Sequence, residues 1–153
     1  MKKIALFIVA YFVITMAWAY PWHMIWFHDL YGEMGAYTRA EPIIPLGMLS
    51  MIIQGAVFGY LYPFWYRGEN PVLGGIKFML IAGLLVYTVM GFATAAKINI
   101  EPISTFLLYH TAFQLVQFVL TGVALGLIYG RKINLNQKEN SGDSPVLQSG
   151  RSL

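Results

Sequence analysis

The chain has 153 residues, 58% of them hydrophobic and only 11% charged, with a formal net charge of +3. Soluble domains carry about 25% charged residues, so this composition excludes an ordinary soluble enzyme and predicts a single all-α membrane domain. The absence of cysteine removes disulfides, thiolate metal sites, covalent haem attachment and cysteine nucleophiles. The basic balance is no nucleic-acid signal, because no basic patch is interleaved with aromatics and the cations flank hydrophobic segments.

Met1-Lys2-Lys3 opens an apolar run from Ile4 to Phe27, interrupted by Pro21 and His23. Ala17-Trp18-Ala19 has the form of a signal cleavage site, yet the run continues through Trp22, Met24, Ile25, Trp26 and Phe27. It reads as a retained first transmembrane helix over about 4–27. A polar loop follows from His28 to Glu41, broken by Gly32 and Gly35. Pro42 and Pro45 then open a second helix, about 43–66; proline is tolerated in a first turn, where its missing N–H has no partner to lose. Gly55 and Gly59 give this helix a small face for close packing. Arg67-Gly68-Glu69-Asn70-Pro71 is a turn by composition. The third helix spans about 72–96, with Gly83, Tyr87 and Gly91 on one side. Gly74-Gly75 at its start lacks the surrounding pattern of a phosphate loop. A short loop leads to the fourth helix, about 103–129. Each segment is long enough to cross a ~30 Å hydrocarbon core at ~1.5 Å per residue. Residues 133–153 are polar without periodicity and predict a disordered tail.

With both termini in the cytoplasm, Lys2, Lys3, Arg67, Arg131 and Lys132 lie inside, Lys77 lies near that face, and Arg39 and Lys97 lie outside. That bias predicts a multi-pass protein of the bacterial inner membrane in this orientation.

The fourth segment carries His110, Gln114, Gln117 and Thr121 at spacings of four, three and four, one stripe of a helix. Such a stripe turns inward, since unpaired amides and imidazoles are costly in hydrocarbon. Gly122, Gly126 and Gly130 follow and predict a close crossing, within the chain or between chains. Gln54 on the second helix joins the seam as a candidate lining residue. Amides do not titrate, so they serve as interhelical hydrogen-bond glue or as the lining for a polar or quinone-like ligand. Every carboxylate sits at or beyond a helix end, which argues against a proton pump. No catalytic motif is visible; Ser50 and Ser104 lack a nucleophile-elbow context.

Glu41-Pro42-Ile43 and Glu101-Pro102-Ile103 precede the second and fourth helices sixty residues apart, and Gln54 and Phe58 align with Gln114 and Phe118 at the same offset. This echo reads either as a parallel repeat of two helix pairs or as a common way to start a helix, with a carboxylate at the positive end of the dipole.

Near the outer face, His23, His28, Glu33, Glu41, Glu101 and the deeper His110 form a second candidate cluster. Imidazole and carboxylate suit zinc, iron, copper or haem, but the spacing is no recognised signature. His23, His28 and His110 stay candidate ligands only, and no cofactor is expected.

Tyr20-Pro21-Trp22, the loop Gly35-Ala36-Tyr37-Thr38-Arg39-Ala40-Glu41-Pro42, and the ending from Gln114 through Gly122 to Gly126 resemble a group of small bacterial inner-membrane proteins known as domains of unknown function. The similarity covers 1–132. It implies a four-helix membrane protein without an assigned activity and carries over no catalytic residue. Three expectations follow: a structural or accessory protein packing in the bilayer as a homo-oligomer or with other membrane subunits, a carrier or channel with an amide-lined seam between Gln54 and Gln114, and a His-ligated redox protein.

Overall fold

The computed structural model describes residues 1–39, 41–68 and 70–140, with side-chain surroundings through Gly130. Residues 141–153, most of the expected polar tail, lie outside the described residues. The elements are α1 (Lys2–Tyr20), continued by a π-helical segment Pro21–Trp26, the short α2 (His28–Glu33), α3 (Ile44–Trp65), α4 (Pro71–Tyr87), continued by a π-helical segment Thr88–Ala93, and α5 (Ile103–Asn140). All regular structure among the described residues is helical. Four spans are long and apolar enough to cross a membrane: Lys2–Trp26, Ile44–Trp65, Pro71–Ala93 and Ile103–Gly130. The chain is thus an all-α membrane protein, a bundle of four spanning helices.

The departures from the sequence reading have local causes. Pro21 has no N–H to return to the preceding turn, and the helix widens there instead of stopping. The N–H of Phe27 donates to the carbonyl of Trp22, five residues back, at 3.1 Å. The stretch expected as a loop from His28 holds α2, at the end of the bundle away from the N-terminus. Asn70, expected only as a turn residue, is the N-cap of α4: its side-chain oxygen accepts from the N–H groups of Val72 and Leu73 at 3.0 and 3.1 Å. α5 continues to Asn140, so residues 133–140 of the segment expected as a disordered tail are helical. No proline or glycine interrupts 131–140, and Leu, Lys, Gln and Glu all favour helix.

α1 and α5 lie side by side in the middle of the bundle; α3 flanks α1, α4 flanks α5, and α3 touches α4 only lightly. The main core holds Phe7, Tyr11, Phe58, Tyr62, Phe78, Met79, Phe118 and Leu125. A second, smaller core of Tyr31, Met34, Ile100 and Phe106 forms where α2 and the α4–α5 loop come together. There the carbonyl of Met34 accepts from the N–H of Glu101 at 3.0 Å. Gly35, at φ 77°, brings the backbone against the Asn99 carbonyl, where no side chain fits.

Both glycine faces are spent within the chain. Gly55 meets Ile8 and Tyr11, and Gly59 meets Phe7, so α1 lies close on α3. Gly75 on α4 faces the backbone of Gly122 and Gly126, Gly126 faces Pro71 and Val72, and Gly130 faces the Pro71 ring. A Cβ at any of these last positions would overlap its neighbour, mostly backbone that cannot step aside. Gly126→Ala is therefore expected to destabilise the bundle by about 1–3 kcal/mol through overpacking. Gly32→Ala, where nothing lies within 4 Å, is expected to change little. Thermal unfolding of the detergent-solubilised variants checks the contrast.

Candidate functional site

α5 is the organising helix. Its buried stripe runs through Phe106, His110, Phe113, Gln114, Gln117, Phe118, Thr121, Gly122, Leu125 and Gly126, alternating between the faces that meet α1 and α4. That alternation divides the polar seam into two sites with different states of satisfaction.

The first site faces α1. Tyr11, fully buried, donates its hydroxyl to Gln54 Oε1 at 2.7 Å and accepts from Gln117 Nε2 at 3.4 Å. Gln117 Nε2 also donates to Thr15 Oγ1 at 3.2 Å. One phenol therefore ties α1, α3 and α5 together. Thr121 takes no part across the interface; its hydroxyl returns to the Gln117 carbonyl of its own helix at 2.7 Å. This half of the seam is filled by its own hydrogen bonds. Gln54 and Gln114 do not face one another across an opening: Gln54 is drawn to Tyr11, while Gln114 turns to α4.

The second site faces α4. His110 and Gln114 are each 7% exposed, one turn apart on α5. Neither His110 Nε2 nor Gln114 Oε1 has a hydrogen-bond partner. The His110 ring stacks between Phe106 and Tyr87, with centroids at 5.3 and 5.8 Å, and it lies against Gly91 of the second π-helical segment. Gln114 lines a crevice of about 180 Å³ between α4 and α5, together with Tyr87, Thr111, Leu84, Leu115 and Phe118. The Tyr87 hydroxyl is bonded to Thr111 Oγ1 at 2.7 Å. The stripe read in the sequence therefore holds two unlike chemistries, and only the second has unused capacity. Sequence spacing could not separate them, because Gln114 and Gln117 are three residues apart on one stripe.

The outer cluster gathers only in part: His23 lies close enough to His110 for the two imidazoles to interact electrostatically, whereas the remaining members are exposed. His23 is held edge-on against Phe113 and Tyr31 at 4.6 and 4.9 Å. His28 is exposed and its ring Nδ1 lies 3.4 Å from Asp29. Glu33, Glu41 and Glu101 are all exposed. Among the described residues no three His, Asp or Glu side chains gather as a metal site would require. Tyr31, in the smaller core, accepts from Trp22 Nε1 at 3.3 Å. Burial pushes its hydroxyl above the ordinary tyrosine value, so it stays neutral across the physiological range.

A wider groove of about 680 Å³ opens beside the first turns of α3, between Ile43, Leu46, Gly47 and Ser50 on one side and Met24, His28, Tyr37 and Arg39 on the other. Sequence reasoning missed it. Its only signal was Gly47, a helix glycine outside the paired Gly55 and Gly59.

The two halves of the echo are not chemically equivalent. Phe58 and Phe118 are both buried in the main core, but Gln54 Oε1 is bonded and Gln114 Oε1 is not.

Gln117→Leu is expected to cost about 0.6 kcal/mol and at most about 1.7 kcal/mol, the mean and maximum measured for interhelical hydrogen bonds in a membrane protein. Gln114→Leu removes a buried acceptor without a partner, and is expected to be neutral or stabilising by about 1 kcal/mol. Parallel unfolding measurements on the two variants read the difference directly. Compared with known protein families, curated proteins and solved structures, the chain finds no match.

Proposed function

We propose that this is a non-catalytic integral membrane protein of structural or accessory role, which docks another transmembrane helix on the outer half of α3. The observation that carries this reading is the state of α3 before its first contact with α1. Every residue from 43 to 50 is exposed, Gly47 included. The glycines at 55, 59, 75, 83, 91, 122, 126 and 130 all meet a neighbour within the chain, while Gly47 meets nothing within 4 Å. In a bilayer, lipid tails cover apolar side chains as well as a protein does, so exposed Ile and Leu alone signal nothing. A small face is different: Gly47 and Ser50, one turn apart, lower the distance at which a second backbone can approach, which favours helix over lipid.

The partner is a second copy of this chain or a helix of another membrane subunit, and no cofactor enters the reading. The setting proposed is the bacterial inner membrane with both termini cytoplasmic, supported by Lys2, Lys3, Arg67, Arg131 and Lys132 against Arg39 and Lys97.

Because the chain has no cysteine, single-cysteine variants report cleanly. Gly47→Cys in native membranes is expected to form an oxidative crosslink, whereas Leu85→Cys, 72% exposed on the lipid face of α4, is expected to remain uncrosslinked. Mass spectrometry of the crosslinked band separates self-association from a distinct subunit, and equal behaviour of the two variants would sink the docking reading. For topology, a membrane-impermeant maleimide is expected to label Lys97→Cys on intact cells and Arg67→Cys only after permeabilisation.

A further inference from the structure

We propose that the docking partner is a second copy of this chain, whose α3 seats in the groove beside α3 of the first and whose Glu41 pairs with Arg39. This inference rests on the docking reading above and names the partner.

The groove supplies the space. One wall is the first turns of α3, with Ile43, Leu46, Gly47 and Ser50, and the opposite wall holds Met24, His28, Tyr37 and Arg39. From Ile43 to Ser50 the helix advances ~10 Å. A volume of about 680 Å³ over that length leaves a section of roughly 70 Å², close to that of a helix ~10 Å across. A helix seated there runs alongside α3 and reaches the opposite wall.

The charges say which helix fits. No carboxylate lines the groove. His28 already lies beside Asp29 at 3.4 Å, but Arg39 makes no hydrogen bond or ion pair among the described residues. Glu41, two residues before Ile43, is exposed and likewise unpaired among them. The groove therefore offers a free cation, and α3 carries a free anion just ahead of the exposed face 43–50.

The membrane brings the two together. Copies of one chain insert in the same direction, so a second α3 runs parallel to the first and begins at the same depth. Its Glu41 then stands level with Arg39 on the far wall. The relation is mutual. A two-fold axis along the membrane normal seats each α3 in the groove of the other, forms the Arg39–Glu41 pair twice, and closes the assembly as a dimer.

The test uses the full chain carrying Gly47→Cys in native membranes and reads the disulfide-linked product. Its expected mass is twice that of the chain. In this background, Arg39→Glu or Glu41→Arg alone places like charges at both pairs and is expected to lower the yield at least about threefold. Both positions are exposed, so the unfolding temperature of the uncrosslinked variants is expected to stay that of the parent. Coexpressing the two variants is expected to restore the yield, because a copy with two carboxylates then meets a copy with two guanidinium groups. The double variant, Arg39→Glu with Glu41→Arg, is expected to crosslink as the parent does. A Gly47→Cys crosslink to a different protein overturns this proposal and leaves the docking reading standing. A product of doubled mass whose yield ignores all the charge changes also overturns it. Gly47→Cys crosslinking no better than Leu85→Cys overturns the docking reading itself, and this proposal with it.

Discussion

Inside a bilayer, apolar side chains gain nothing by leaving lipid for protein, and helices associate through close van der Waals approach and the hydrogen bonds that approach permits. In this chain the approach is made by glycine. Gly75 on α4 lies against Gly122 and Gly126 on α5, with Pro71 and Val72 against the latter. The backbones meet where side chains would hold them apart. The same device at Gly55 and Gly59 lays α3 on α1. Everything else in the bundle, including which groups on α5 meet α1 and which meet α4, is a consequence of these two crossings and the α1–α5 contact between them.

Once the backbones are that close, polar side chains have to be matched locally. Tyr11 does this for α1, α3 and α5 by donating to Gln54 and accepting from Gln117, with Thr15 completing the set. The N-terminal end of the bundle is closed in a similar way: Lys3 Nζ donates to the Tyr129 carbonyl at 2.8 Å, and the Tyr129 hydroxyl donates to the Gly59 carbonyl. Against this background of paired groups, His110 Nε2 and Gln114 Oε1 stand out. Satisfied networks hold helices together; this pair leaves polar capacity unspent on the side of α5 that meets α4.

Much of the frame was legible in the chain because hydrocarbon imposes two simple demands, length and apolarity. The four spans are recognised from those alone, and the glycine faces announce close crossings. What was illegible is instructive. Pro21 reads as an interruption, yet it widens the helix into a π-helical segment that lets Trp22 and His23 reach Tyr31. Asn70 reads as a turn residue, though the same side chain caps α4. The Glu41 and Glu101 carboxylates, suited by charge to a helix start, remain exposed beside prolines.

The amino-acid sequence by itself determined that this chain is helical and membrane-spanning, and that α5 carries a polar stripe which has to turn inward. Period and hydropathy are local properties, so they survive without knowledge of neighbours. Only the tertiary structure decided that Gln117 is bonded while Gln114 Oε1 is not, that His23 packs among aromatic rings while His28 is exposed, and that Gly47 remains unused while the other glycines of the four spanning helices meet neighbours. Those facts depend on which helix lies across each face. That is set by the sum of all the crossings, and no single stretch of residues contains it.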